Sequence, residues 1–514
     1  MSEETEKPEL DAPVPAEPEE AQGNGEAGEG ENGSVAAERY RGNNDYFRMM
    51  MDRNFLEYAS YVIKDRAIPD VDDGLKPVQR RVLWALYQVY DGRTHKVANI
   101  VGNTMHFHPH GNASIEDALV VLANKEYYIT RQGNFGNILT GSPAAAGRYI
   151  ECSLSPLGHE VLFNNDITEF VDTYDGRGIE PVVLPAKVPS LLMLGSDGIA
   201  VGMATKIMPH NFNELLEAEI AELRGEPFQL YPDFQQGGLM DVREYNDGNG
   251  KITLRAKIEI VGRDLIIREI PATTTTETLV ASIEKAAEKN KIKISSVNDY
   301  TTDKVEIKVV PTRGYDPEKT MQGLYMYTDC SVSISVNMTV IRESRPVQMS
   351  VSEVLRRNTA KLLEHLKREL EIDLERQEAL FHAKTLAQIF FENRIYKKIE
   401  ECKSQEEEYA EVHAGLAPFR DMLRRDVTDE DIDKLLALPV RRISRFDIEK
   451  NQRELAEVLA KMEEIKRNLG NLKGYAIRYL KGLIAKYGRE FPRRTEIEHF
   501  EKIDRREAAL NNIK

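Results

Sequence analysis

Gly141 to Glu151 reads GSPAAAGRYIE. Its small residues, Ala144, Ala145, Ala146 and Gly147, let the backbone come close to another group, and the run then presents Arg148 beside Tyr149. A phenol next to a guanidinium can act as a nucleophile toward a phosphodiester. Tyrosine is ordinarily protonated, with a pKa of about 10. A neighbouring cation favours the phenolate and offsets charge on a reacting phosphate. The plain alternative is a half-buried structural tyrosine. With 21 tyrosines in the chain, the pair alone does not decide between them.

Other candidate groups lie upstream. Lys76 to Lys96 holds Lys76, Arg80, Arg81, Arg93, His95 and Lys96 against Asp91 alone, a local basic patch suited to phosphates. His106-Phe-His-Pro-His-Gly111 places three histidines in five residues, which reads either as metal ligands or as phosphate contacts at a helix N-terminus. Asp70, Asp72 and Asp73 sit in a proline- and glycine-punctuated loop, where turn carboxylates are favoured over a metal site. Gly195-x-x-Gly198 does not match a dinucleotide fingerprint in spacing or context.

The elements that position these groups follow from periodicity. The sequence predicts helices at 46–63, 78–90 and 113–123, the last capped by Asn112. Helix, connection and helix with arginines and histidines at the joints suit a helix-turn-helix DNA reader. An α/β region follows, with strands expected at 252–260, 265–270, 305–310 and 331–336 and a helix at 277–290. From Ser350, with Glu353 as a capping box, the chain turns helical and charged. Leu455, Val458, Met462, Ile465, Leu469 and Leu472 repeat as a heptad seam, predicting an antiparallel coiled-coil arm with a small helical knob. Asp426 to Asp433 lacks an EF-hand glycine and reads as a helix N-terminus.

Totals bound the class. The 514 residues suffice for about three domains, with 30% charged and 41% hydrophobic residues. No apolar run of 18 residues and no signal peptide is present, and three scattered cysteines suit a reducing cytoplasm. Of the net charge of −16, −11 falls in residues 1–38, which leaves −5 for the rest. Residues 1–42 are expected to be a disordered acidic tail.

RAIPDVDDGLKPVQRRVL (Arg66–Leu83), HFHPHG (His106–Gly111), RQGNFGN (Arg131–Asn137), AAAGRYIE (Ala144–Glu151) and GIAVGMATKIMPHN (Gly198–Asn211) stand in one order. In this the chain, from about Asn44 to Ile497, resembles the A subunits of bacterial type IIA DNA topoisomerases, those of DNA gyrase and topoisomerase IV. The resemblance implies a multidomain α+β fold. Its parts would be a winged-helix (helix-turn-helix) DNA-gate domain at 43–182, an α/β tower at 183–345, a long antiparallel coiled coil with a helical exit-gate knob at 346–490, and a charged tail at 491–514.

The resemblance also implies roles. Tyr149 would attack a DNA phosphate and hold the 5′ end. Arg148 would stabilise the transition state, and Arg66 would support the leaving 3′ oxygen from the other side of the site. Lys76, Arg80, Arg81, His108 and His110 would grip gate-DNA phosphates. Val188 would be the wedge that kinks the duplex. Ala113, which replaces the usual serine, and Asp117 are the quinolone-site equivalents, implying weak quinolone sensitivity. The chain carries no P-loop and no acid cluster suited to two metals. ATP and Mg²⁺ are therefore expected on a partner B subunit in an A2B2 assembly, with this chain a cytoplasmic homodimer on double-stranded DNA.

The sequence ends at Lys514 without the β-pinwheel found in gyrase, and Gln79 matches the topoisomerase IV pattern. The expectation is a topoisomerase IV-like, relaxing and decatenating enzyme. The alternatives are the corresponding gyrase chain without its wrapping domain, or a non-catalytic DNA-binding scaffold of the same fold.

Overall fold

The computed structural model describes residues 33–400, 402–438 and 445–501. Most of the expected acidic tail, residues 1–32, and most of the final tail, 502–514, lie outside them. The chain divides into one compact unit ending at Tyr58 and a second beginning at Ala59. The described part of the first belongs to a helix, Gly33–Val62. That helix starts well before the Tyr46 expected: Gly42, Asn43 and Asn44 read as a boundary, but the helix runs through them. No described helix is long and apolar enough to cross a membrane.

In the second unit the helix passes into a π-helical turn, Ile63–Ala67, and stops at extended Ile68 before Pro69. The loop that follows is shaped by its carboxylates. Asp70 accepts the Asp72 N–H, and Asp73 accepts the Leu75 N–H from within its own loop and the Leu184 N–H from a distant one. Gly74 has φ +70°, and a Cβ there would lie 2.2 Å from the Leu191 nitrogen, so only glycine fits. Pro77 then opens the helix Pro77–Gln88, and the Gln79 side chain accepts the Lys76 N–H at 2.9 Å.

Two further helices follow, Val97–Thr104 and Asn112–Ala123. The first is absent from the sequence expectation: its eight residues include β-branched and glycine positions too few to show a period. An additional helix, 97–104, thus stands in the chain between the two expected ones, and all three share one core. Against them lies a three-stranded antiparallel sheet ordered His95–Lys96, Glu151–Leu154, Ile129–Gln132. Val82, Leu83, Leu86, Ile100, Ile115, Leu119 and Ile150 fill the space between as part of the largest core.

The α/β region forms around a second core. Strands Lys257–Val261, Asp264–Glu269, Ile307–Pro311 and Ile294–Asp299 lie in that order, all antiparallel. Leu265, Ile267 and Val309 pack with Leu279 and Ile283 of the helix Thr276–Glu288 and Leu324 of the helix Pro317–Tyr327. The single strand expected at 252–260 is two, Lys251–Arg255 and Lys257–Val261. Buried Ala256 gives its N–H to Cys330, and there the chain changes sheets.

The other sheet is ordered Ser331–Ser335, Lys251–Arg255, Leu239–Asp241, Glu496–Ile497, the last pair parallel. Residues 491–501 are thus not a loose charged tail. Thr495 and Phe500 are buried, and the Phe500 ring lies 4.1 Å from the Arg255 guanidinium carbon.

The helix Val351–Glu392 starts on the expected Ser350–Glu353 capping box. Its pairing with Arg445–Gly470 is antiparallel: Glu378 meets Lys466, whereas Lys384 meets Glu454. Val458, Met462 and Ile465 of the expected seam are buried. Leu472 instead opens a separate helix, Leu472–Tyr487. Helices Gln405–Leu416 and Asp429–Leu436 form the knob, the latter capped by Thr428 and Asp431.

Where the helix Phe212–Arg224 meets Val351–Glu392, Glu219 is fully buried. One carboxyl oxygen accepts from Thr359 at 3.4 Å and the other has no partner. Burial pushes this carboxyl well above the ordinary glutamate range, so the fold holds it protonated. The folded state then binds more protons than the unfolded one, and stability falls as pH rises above the unfolded value of about 4.3. Glu219→Gln is expected to flatten this slope. At pH 8 the variant should unfold at a higher temperature than wild type, and the difference should shrink toward pH 4. Thermal unfolding followed across that range checks it.

Candidate active site

The Tyr149 turn is pinned from several sides. Ala145 N–H bonds Asn134 O at 2.9 Å, Gly147 N–H bonds a Glu116 carboxylate oxygen at 2.7 Å, and Ala98 N–H bonds Gly147 O at 3.0 Å. Val97 N–H bonds Ile150 O at 3.0 Å, after which the chain enters the central strand, where Glu151 pairs with Lys96 at 2.7 Å. The backbone is held by its neighbours while the side chain is left outside: Tyr149 is 65% exposed. Its hydroxyl makes no hydrogen bond among the described residues. The Arg148 guanidinium carbon lies 4.5 Å from the Tyr149 ring centroid. A cation over a ring face favours this pose by roughly 0.5–1 kcal/mol at an exposed site. The exposure argues against a structural core tyrosine.

A second constellation runs through six side chains. Arg66, on the π-helical turn, lies 5.6 Å from the Tyr61 ring centroid. Tyr61 Oη meets His110 Nε2 at 2.6 Å, the His110 and His108 rings are 4.6 Å apart, and Arg81 donates to His108 Nδ1 at 2.9 Å. Arg81 also forks onto Glu180 at 2.6 and 2.9 Å.

Arginine can only donate, so His108 carries its proton on Nε2. Burial, then Arg81, His110 and Arg66, push His108 down to about 4. His110 is lowered in the same direction, by burial and then by Arg66 and Arg81. At neutral pH His108 is therefore an uncharged brace for Arg81, with its Nε2–H still able to donate. No hydrogen bond, ion pair or ring contact links Arg66, Tyr61 or these histidines to Arg148 or Tyr149 among the described residues. No group of three His, Cys, Asp or Glu side chains among those residues could hold a metal.

Two other expectations change. Arg80 is buried, only 8% exposed, with its guanidinium forked onto Asp73 at 2.6 and 3.0 Å. It stabilises the loop rather than facing a phosphate. Val188 is 2% exposed within the main core and cannot enter a duplex. Ile199, by contrast, is 82% exposed, on the antiparallel pair Ser196–Ile199 and Ala204–Ile207.

This hairpin backs onto the Arg66 turn. A Cβ at Gly198 would lie 2.2 Å from Ala67 O, and Ala200 and Val201 pack with Val62, Ala67, Ile68 and Ile341. Lys76 donates to the Asp197 carbonyl at 2.6 Å, which ties the base of the hairpin to the Pro77–Gln88 helix. Burial lowers the Lys76 ammonium pKa. The signal in the sequence was GIAVG: aliphatic residues bracketed by Gly198 and Gly202 in a tight turn cannot all be buried. Ala113 and Asp117 are exposed one turn apart on the Asn112–Ala123 helix.

A presented tyrosine under an arginine, and a separate basic constellation behind an apolar tip, suit chemistry on a phosphodiester backbone. Residues 66–481 match the family of the A subunits of DNA gyrase and topoisomerase IV. The chain belongs to that family, whose members are parts of type II DNA topoisomerases, which are isomerases.

Within it the chain is topoisomerase IV-like. It is 46% identical over 469 residues to the A subunit of DNA topoisomerase 4 from Borreliella burgdorferi, covering 91% of this chain and 75% of that one. Identity to the A subunit of DNA gyrase from Streptomyces coelicolor is 32%, over 88% of this chain and 56% of the relative. To the A subunit of DNA topoisomerase 4 from Bacillus subtilis it is 32%, over 81% and 54%. The chain thus spans between about half and three-quarters of the length of these relatives.

Proposed function

We propose that this chain is the breakage-reunion subunit of an ATP-dependent type II topoisomerase that relaxes and decatenates duplex DNA. The observation that carries this reading is the exposed Tyr149 hydroxyl, with Arg148 over its ring, on a turn whose backbone is fixed. Tyr149 Oη attacks a backbone phosphorus, and the bond from phosphorus to the 3′ oxygen breaks. A 5′-phosphotyrosyl ester forms, the phenol gives up its proton to solvent, and the leaving 3′ oxygen takes one up, so the proton count is unchanged. Arg148 offsets charge on the phosphate as it reacts. Religation is the reverse attack by the 3′ hydroxyl, and the ester keeps the bond energy, so rejoining needs no nucleotide.

In this reading Arg66 comes from the second chain of a homodimer to support the leaving oxygen, which suits two constellations that do not meet within one chain. Residues 43–182 act as the winged-helix DNA gate, 183–345 as the tower, and 346–490 as the coiled coil and dimeric exit gate. Lys76, His110 and Arg81 face gate-DNA phosphates, with His108 bracing Arg81. Ala113 and Asp117 stand at the quinolone position. Mg²⁺ and ATP are assigned to a partner B subunit in an A2B2 assembly, and the steps assigned to this chain use its own groups.

The test mixes the chain with its B subunit, negatively supercoiled plasmid, Mg²⁺ and ATP, then quenches with detergent and protease. Linear DNA with protein on its 5′ ends supports the proposal. Intact plasmid despite measured DNA binding overturns it.

Ile199 takes the wedge role that the sequence placed at Val188. Inserting its side chain between base steps offsets part of the unstacking cost of a kink. Ile199→Ala is expected to lower bend-dependent energy transfer between dyes on the ends of a bound duplex. Cleavage should fall about tenfold, equivalent to ~1.4 kcal/mol.

A further inference from the structure

We infer that Glu116 is a positioning residue for the Tyr149 turn, coupling the Asn112–Ala123 helix to the nucleophile. The inference rests on the cleavage reading above. Glu116 stands on a helix whose Ile115, Leu119 and Leu122 are locked in the core, so its carboxylate projects from a rigid base. Its hydrogen bond among the described residues goes to one group, the Gly147 N–H, at 2.7 Å. Carboxylate to backbone amide is a charge-assisted bond, stronger than a neutral one. Gly147 immediately precedes Arg148 and Tyr149.

The ties at Ala145, at the Gly147 carbonyl and at Ile150 run from backbone to backbone, whereas this one uses a side chain and so can be removed by substitution. The fit is tight as well. A Cβ at Gly147 would lie 2.8 Å from one Glu116 carboxylate oxygen and 3.0 Å from the other. Glycine at 147 and glutamate at 116 are therefore matched: the bare Cα lets the carboxylate reach the amide. Ala113 and Asp117 share the helix with Glu116, so whatever presses on that exposed face acts on the same element that holds the turn.

The test compares Glu116→Ala, Glu116→Gln, Gly147→Ala and the Glu116→Ala/Gly147→Ala double variant, each as the full chain with its B subunit. Single-turnover formation of the covalent complex is read beside duplex affinity by fluorescence anisotropy. Glu116→Ala should slow cleavage about tenfold with duplex affinity unchanged within about twofold. Glu116→Gln, which keeps an acceptor oxygen, should stay within about threefold of wild type. Gly147→Ala should slow cleavage through the clash, and the double variant should cleave no slower than Glu116→Ala alone, because removing the carboxylate removes the clash.

Wild-type cleavage by Glu116→Ala, or equal losses in Glu116→Ala and Glu116→Gln, overturns the assignment. Should Glu116→Ala fail to fold, Glu116→Gln and Gly147→Ala decide: a crippled Gln variant or an unimpaired Gly147→Ala overturns it. A wild-type chain that forms no covalent complex overturns the functional reading itself, and this inference with it.

Discussion

Tyr149→Phe removes one oxygen atom and is expected to remove all protein-linked DNA. The ring, and with it the Arg148 contact, is retained, and the hydroxyl that is lost makes no hydrogen bond among the described residues. The turn is held through Ala145, Gly147 and Ile150, none of which the substitution touches. Fold and duplex affinity should therefore match wild type, with thermal unfolding within about 1 °C. The cleavage rate should fall by on the order of 10⁴-fold or more, because the attacking oxygen itself is gone. Quantifying 5′-linked DNA after a denaturing quench checks it. Retained linkage in the variant would assign the nucleophile elsewhere.

Asp73→Ala carries the largest expected loss of stability. Asp73 is fully buried, and its two oxygens accept from Arg80 twice and from the Leu75 and Leu184 amides. Removing it leaves a buried guanidinium without its partner and two amides unsatisfied. Breaking a buried pair from one side costs about 3–5 kcal/mol. Asp70 moderates the loss. Burial and then the Asp73 charge push its carboxyl up to about 7, and without Asp73 it can ionise more readily beside Arg80. The expected result in urea titration is a loss near the lower end of that range, with an Asp73→Leu/Arg80→Leu double variant more stable than Asp73→Ala alone. An Asp73→Ala protein as stable as wild type would mean that the pair contributes nothing net.

Local signals were legible where one short segment sets the chemistry. The Arg148–Tyr149 pair, the Ser350–Glu353 capping box, the Thr428 helix start and the Val458, Met462 and Ile465 seam all follow from spacing within a few turns. What escaped depends on partners far along the chain. Arg80 and Arg81 look alike in the sequence. One is consumed by Asp73 in a loop that folds back on it, and the other braces on His108 and Glu180. Val188 and Ile199 are both aliphatic residues in a glycine- and proline-rich stretch. Which one reaches solvent depends on Gly198 pressing its hairpin against Ala67. Glu496 and Ile497 look like part of a charged tail because two residues show no period; only their parallel pairing with Leu239 and Met240 makes them a strand.

That last pairing has a mechanical consequence. The long arm leaves the body at Val351, where its first turn is tied to Asp247, and returns through Leu472–Tyr487. Lys486 and Tyr487 there bond Glu160, and Arg493 grips Glu214 before the strand closes into the sheet beside Leu239. Both rails of the arm are thus clamped in the same body. A load applied at the knob reaches that body through two attachments as a couple, so the arm resists twisting and works as a lever with a built-in end rather than a weight on a tether.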